Sequence, residues 1–376
     1  MTIQHFGKTF SDELAALDSA HLAMEIHSTT PEQVADILAK PRLELRDFYR
    51  LISPAAESFV PQLAQRAHDL TLQRFGRTVQ FYLPLYLSNL CSNYCSYCGF
   101  SLDNKIRRMT LTEQDIAKEC EAIKSLGFEH ILLVTGESEN KVGMAYFQRV
   151  LPIVREYFQQ ISLEVQPLTT DEYSQLQDLG ASAVYVYQET YLRSTYGQVH
   201  LKGKKTDFDF RLQTPDRLGQ LGMQKIGLGC LLGLSDWRVD SALLANHLVY
   251  LQNRYWQSKY SISFPRLRPC GTGFQPNQPI SDKQFIQLIS AFRLLAPEVE
   301  LSLSTREPAQ FRDQIFPLGI THMSAGYSTQ PGGYANPDQT ALEQFAIDDL
   351  RSPMEVAQAI QQKGYQVVWK DWDCFC

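Results

Sequence analysis

Gln80-Phe-Tyr-Leu-Pro-Leu-Tyr-Leu-Ser-Asn-Leu-Cys91-Ser-Asn-Tyr-Cys95-Ser-Tyr-Cys98 decides how this chain is read. Residues 80–89 are an apolar run of strand character, and three thiols follow at once, spaced C-x3-C-x2-C. A structural zinc ion wants four close ligands, usually as paired C-x2-C units, and this run offers three. Three thiolates hold three irons of a [4Fe–4S] cube and leave the fourth iron open. An open iron can bind and reduce something, so the spacing points to chemistry rather than support.

Outward from that run, short apolar stretches alternate with helical patterns. They fall at 130–135, 161–166, 183–188, 225–231, 260–266, 299–305 and 320–325. Between the opening run 80–89 and the run 130–135, Thr112 and Asp115 form a capping-box signature for a helix over 112–126, which Gly127 ends. With the first strand this makes eight strand–helix units, the pattern of an α/β fold closed into a parallel (β/α)8 barrel. A doubly wound open sheet is the alternative, but no G-x-G-x-x-G follows the first strand. Active sites of such barrels form where the strands end, so the cysteines stand at the mouth.

Three regions are expected. Residues 1–76 read as an N-terminal helical extension. In it Thr30-Pro31 starts one helix, and Phe59, Leu63, Ala67 and Leu70 recur at helical spacing before Gly76. Residues 77–327 form the barrel. Residues 328–376 are a C-terminal extension: a mobile loop at Gln330-Pro-Gly-Gly-Tyr334, a last helix over 353–364 and a short extended piece over 365–370.

Composition narrows the class. The 376 residues carry a net charge of -6 with both signs interspersed, and no basic tract suggests nucleic acid or an anionic membrane surface. No apolar stretch reaches the roughly 18 residues of a spanning helix, and residues 1–11 lack the pattern of a secretory signal. A cytoplasmic protein is expected, in which eight clustered cysteines serve metal or redox work rather than disulfides.

C-x3-C-x2-C with Tyr97 before the last cysteine resembles the signature of the radical S-adenosylmethionine (SAM) enzymes. The resemblance implies a [4Fe–4S] cluster on Cys91, Cys95 and Cys98 whose free iron chelates SAM. One electron then breaks the sulfonium C–S bond and leaves a 5′-deoxyadenosyl radical that abstracts hydrogen. Further segments fit in order. Thr135-Gly136-Glu137 resembles the family's GGE element for the SAM amino group, with threonine in place of the first glycine. Glu189 resembles the acidic residue that binds the ribose, and Arg211 the arginine that pairs with the SAM carboxylate. Ile226-Gly227 resembles the stretch whose backbone lies along the adenine.

A closer resemblance covers nearly the whole chain. Residues 81–91, 133–137, 186–191, 201–205, 263–270, 301–307, 330–334 and 368–373 look like the tyrosine lyases of thiamine biosynthesis, the 2-iminoacetate synthases. That family cleaves the Cα–Cβ bond of L-tyrosine to 2-iminoacetate and p-cresol. The resemblance implies a complex with thiazole synthase and a reductant such as flavodoxin or ferredoxin. Arg306, at a strand end, suits the substrate carboxylate as a bidentate partner. Ser324 at the next strand end can add a hydroxyl, and Tyr82 or Tyr86 can meet the amino group. Arg268 either binds substrate or holds a loop.

Cys120 and Cys230 read as core thiols, while Cys270 follows a mouth-side strand. Cys374 and Cys376 form only a C-x-C pair. The related hydrogenase maturases, tyrosine lyases that make carbon monoxide and cyanide, carry a second cluster on a C-terminal cysteine domain with a C-x2-C unit and a further cysteine. That reading is therefore disfavoured. A non-catalytic iron–sulfur carrier explains the cysteines but not the constellation on successive strand ends.

Overall fold

Alternation along each strand sorts side chains between two environments. In β1 (Thr78–Tyr82), Val79 and Phe81 are buried beneath the outer helices, while Gln80 and Tyr82 face a central cavity. The computed structural model describes residues 8–270, 273–335 and 344–370. Its further strands are β2 (Pro84–Ser88), β3 (Tyr94–Cys95), β4 (His130–Thr135), β5 (Gln160–Glu164), β6 (Ala181–Tyr185) and β7 (His200–Lys202). They continue with β8 (Lys225–Gly229), β9 (Lys259–Ser263), β10 (Glu300–Leu303), β11 (His322–Ser324) and β12 (Gln366–Val368).

The large sheet runs β12-β1-β11-β10-β9-β8-β6-β5-β4-β2, with every pairing parallel. β1 and β2 are two halves of one line of chain, interrupted at Leu83. The first half pairs with β11 and the second with β4, so this line closes the ring. Taken as one strand, it makes the expected eight-stranded barrel. β12 extends the sheet beside β1, and Glu129 N–H, just before β4, donates to Trp369 O.

Capping chemistry sets the helix starts as expected. Thr112 and Asp115 exchange hydrogen bonds at the head of the helix Glu113–Ser125, and Thr30 and Gln33 do so at Pro31–Leu38. The helix Val60–Phe75 ends at Gly76, whose φ of 66° suits a residue without a Cβ. It buries Leu63 and Ala67 against the barrel helix Asp282–Leu295.

Two features depart from the sequence reading. β3 and β7 form a small antiparallel ribbon over the cysteine loop, and strands of two and three residues leave no periodic signal. The expected mobile loop at Gln330–Tyr334 is instead a pinned turn. Both Glu119 carboxylate oxygens accept from the Tyr334 and Ala335 amides (3.0 and 2.7 Å), and the Tyr334 hydroxyl donates to Pro84 O at 2.8 Å. Cys120 and Cys230 are buried, as expected of core thiols.

Candidate active site

The cysteine loop leaves β2 at the mouth and folds back under the ribbon. Cys95 is buried, and Cys91 and Cys98 are partly so. Burial raises all three thiol pKa values, that of Cys98 to about 11. Each thiolate therefore needs a compensating cation. Cys91 and Cys98 each raise the Cys95 thiol, so the sulfurs share one electrostatic neighbourhood. Three thiols on one loop are the donor type and number that a [4Fe–4S] cluster with one open iron takes, so the donor set fits such a cluster.

Gly136 is set by packing. Its N–H donates to Ser88 O at 2.8 Å, and a Cβ there would collide with the Leu90 carbonyl just before Cys91. Next to it, Glu137 is fully engaged. Oε1 accepts from Arg211 Nη1 at 2.8 Å and Oε2 from Asn93 Nδ2 at 2.7 Å. Burial would raise this carboxyl, but Arg211 and Lys205 hold it below the usual range. Arg211 also donates from Nε to Tyr187 O at 2.7 Å. Neither residue lines the cavity. Where a direct partner for a SAM carboxylate was expected, Arg211 is a buried brace between Glu137 and the segment that follows β6. Breaking this pair strands Glu137, so Arg211→Met is expected to lower stability by about 3–5 kcal/mol. Pairing it with Glu137→Gln should recover most of that loss in thermal unfolding.

Lys205, which sequence reasoning passed over, organises the centre. Its Nζ donates to Glu189 Oε1 at 2.7 Å and lies 5.8 Å from the Tyr97 ring centroid. Burial and Arg211 lower its pKa, but Glu189, Tyr97 and Cys95 outweigh them and keep it charged. Glu189 has φ of 69°, the only positive φ outside glycine among the described residues. Such strain persists where the surroundings fix it, here through Lys205 and through Leu231 N–H donating to Glu189 O at 2.8 Å. Tyr97 is held too. His200 Nδ1 must donate to Tyr196 O (3.0 Å), so Nε2 accepts from the Tyr97 hydroxyl at 2.8 Å. Burial takes the His200 pKa to about 2, so the ring stays neutral.

Cys98, Tyr97, Glu189 and Lys205 line one end of a cavity that runs down the barrel axis. Ile226 points into the core, leaving only its backbone available to a ligand. Gly227 faces inward, where a side chain would strike the Tyr185 ring.

Substrate candidates divide. Arg306 lines the cavity and stacks on Phe345, guanidinium carbon 3.4 Å from the ring centroid. No carboxylate among the described residues lies within ion-pair distance of it. Arg268 is tied to Glu307 (3.3 Å) and Asp348 (3.1 Å), so it holds a loop. Ser324 is fully buried behind the cavity wall: its Oγ accepts from Thr305 N at 2.9 Å, and its side chain hydrogen-bonds Tyr82, which lines the cavity. Tyr82 and Tyr86 both line the cavity. Burial raises the Tyr82 phenol to about 12, and the Tyr86 hydroxyl donates to Gln344 Oε1 at 2.7 Å. Glu164 was missed. It faces the same cavity, with its pKa raised to about 7 by burial and then Glu189, against Arg306, Lys205 and Arg211. Its signal was a carboxylate at an inward position of an alternating strand, two residues after the inward Ser162. Cys270 donates its thiol to Tyr97 O at 2.9 Å. Cys374 and Cys376 lie outside the described residues.

Known proteins agree with this geometry. Residues 85–245 match the Radical SAM superfamily, and residues 263–366 match the Biotin and Thiamin Synthesis associated domain. The chain is a radical SAM enzyme, of the class that works with a [4Fe–4S] cluster and SAM. It is 56% identical over 369 residues to 2-iminoacetate synthase of Escherichia coli (strain K12), covering 98% of each chain. To 2-iminoacetate synthase of Salmonella typhimurium it is 55% identical over 367 residues, 97% of each. The chain belongs to the 2-iminoacetate synthase family. Among solved structures it is similar to the FeFe-hydrogenase maturase HydG from Carboxydothermus hydrogenoformans. The TM-score is 0.90 at 28% identity, over 97% of this chain and 86% of that one. No helix among the described residues is long and apolar enough to cross a membrane.

Proposed function

We propose that this chain cleaves the Cα–Cβ bond of L-tyrosine to 2-iminoacetate and p-cresol, converting SAM to 5′-deoxyadenosine and methionine. The carrying observation is Arg306: a cation stacked on Phe345, without a carboxylate partner among the described residues, lining the cavity that Cys98 closes. That is what an amino-acid carboxylate requires beside a radical centre. Cys91, Cys95 and Cys98 would hold the cluster. Glu189, the Tyr97 backbone and the Ile226–Gly227 backbone would hold SAM, with Gly136, Glu137 and Arg211 bracing that wall. Bound together, cluster and SAM supply one-electron cleavage of SAM and abstraction of a hydrogen atom. Arg306 fixes the carboxylate so that the amino group points toward Cys98, and Tyr82 and Glu164 receive that amino group. Residues 77–327 serve as the catalytic barrel, flanked by extensions at 1–76 and 328–376. The enzyme works in the cytoplasm with a reductant such as flavodoxin or ferredoxin and passes its imine to thiazole synthase.

Anaerobic incubation with SAM, dithionite and tyrosine should give 5′-deoxyadenosine and p-cresol in step. Deoxyadenosine with no tyrosine-derived product would overturn the reading.

Glu164 gives this function a pH signature. A carboxyl ionising near 4.5 when unfolded and near 7 when folded binds more protons in the folded state between those values. Ionising it therefore opposes folding as pH rises through that window. Substrate ammonium gains the opposite sign, because only the carboxylate pairs with it. KM for tyrosine should fall as pH rises from 6 to 8. Glu164→Gln should flatten that profile and raise KM at pH 8 by about tenfold or more, as expected for losing a hydrogen bond to a charge.

A further inference from the structure

Barrels of this class ordinarily fill their axis with layers of branched apolar side chains. Here the lower axis is polar. Ser162, Ser261, Ser263 and Ser302 face the cavity from β5, β9 and β10. Among them sits a charged trio. Lys225 Nζ lies 2.9 Å from Glu300 Oε2, and His322 Nε2 lies 3.3 Å from the same oxygen. All three side chains are 10–13% exposed. Burying such a group carries a desolvation cost that apolar packing would avoid, so the trio calls for a functional account.

A small second pocket lies at the N-terminal ends of β5, β6 and β8, bordered by Gln160, Ser182, Gln224 and the exposed Lys259. His130, Ser162 and Lys225 line both it and the central cavity, so these three side chains stand between the two. A polar lining therefore runs from the lower rim to the cysteine loop. The mouth is strapped by comparison. Gln344 O accepts from Gly99 N–H at 3.0 Å, its side chain holds Tyr86, and the Asp348 and Asp349 amides donate to Thr305 O. The lower rim carries no such strap among the described residues that line it.

We propose that this lower shaft is a hydrated proton path into the reaction chamber, in which Glu300, bridging Lys225 and His322, is the relay. The inference rests on the lyase reading. Cα–Cβ cleavage leaves a 4-hydroxybenzyl fragment one electron and one proton short of p-cresol. The electron comes from a low-potential one-electron donor, the class that also reduces the cluster. The proton forms the new methyl C–H bond, and nothing leaves. Groups facing Glu300 are Lys225 from β8 and His322 from β11, whose Nδ1 lies 2.9 Å from Thr321 Oγ1. Arg293, on the helix behind β10, feels its charge.

The test uses holoenzyme with tyrosine, SAM and dithionite. Lys225→Met with Glu300→Gln removes the relay without stranding a charge. Ser261→Val narrows the shaft and touches no ion pair, so it keeps the question open should the double variant misfold. Both should form 5′-deoxyadenosine at the wild-type rate with an unchanged cluster EPR signal. Their p-cresol should fall about tenfold or more, the scale of a lost proton-transfer group, with the ring appearing in other phenolic products. His322→Gly should show the same loss and regain p-cresol on adding imidazole, which a merely structural role would not allow. Cresol still formed in step with deoxyadenosine overturns the proposal, as does a parallel fall of both. Failure of the lyase reading is separately visible, as wild-type enzyme that makes no p-cresol.

Discussion

Serine in place of any one of Cys91, Cys95 or Cys98 should empty the chain of its cluster. Purified under argon, such variants should fall from about four irons per chain to less than one and lose the SAM-responsive EPR signal. Product formation should vanish with it. The argument is one of donor number and burial. Three thiols occupy the loop with no spare, and burial holds each above its ordinary pKa. Ionising them is favourable only when iron supplies the charge. Serine, far less acidic, does not ionise there. Cys270 offers no substitute, since its thiol is spent on Tyr97 O. Cys120→Ser serves as the control, for Cys120 is buried in the core cluster beneath its helix. A Cys98→Ser protein that keeps its iron and its SAM response would refute the ligand assignment.

The cysteine loop was legible because its chemistry is local: eight residues state ligand type and spacing. Strands were legible as apolar runs, though most end a residue or more earlier than the apolar pattern. In the first, Leu83 interrupts what reads as one strand, because the chain changes partner there from β11 to β4. Arg306 was legible from its place at a strand end. Ser324 looked equivalent by that criterion, and only the fold shows its hydroxyl buried between Thr305 N and Tyr82. Lys205 and Glu189 illustrate a second limit. Their pairing depends on the ribbon β3–β7, too short to leave a pattern. Arg211 and Glu137 stand 74 positions apart, and Glu119 reaches 215 positions to pin Tyr334. Side chains that join distant segments carry no spacing from which to read their partners. Glycine at 136 was legible as a motif, but its reason, the Leu90 carbonyl against which it packs, belongs to the fold.

Arg306→Met should raise KM for tyrosine by about a hundredfold or more while leaving iron content, SAM-dependent EPR changes and thermal stability near wild type. Losing a buried charge-assisted pair with substrate costs on the order of 2–5 kcal/mol, and every 1.4 kcal/mol is a factor of about ten in affinity. The contrast with Arg211 gives the prediction its force. Arg211 is matched inside the protein by Glu137, so its loss falls on folding. Arg306 has no carboxylate within ion-pair distance among the described residues and rests on the face of Phe345, so its loss falls on the ligand. Lysine at 306 should recover part of the affinity, since it keeps the charge but not the planar fork that grips both carboxylate oxygens. Phe345→Leu should cost less, about 1 kcal/mol, because it removes only the stacking that orients the fork. p-Cresol per deoxyadenosine should also drop in Arg306→Met at saturating tyrosine, since a loosely held amino group presents the wrong hydrogen. If KM and coupling both stay at wild-type values, the carboxylate is held elsewhere and Arg306 is a rim residue.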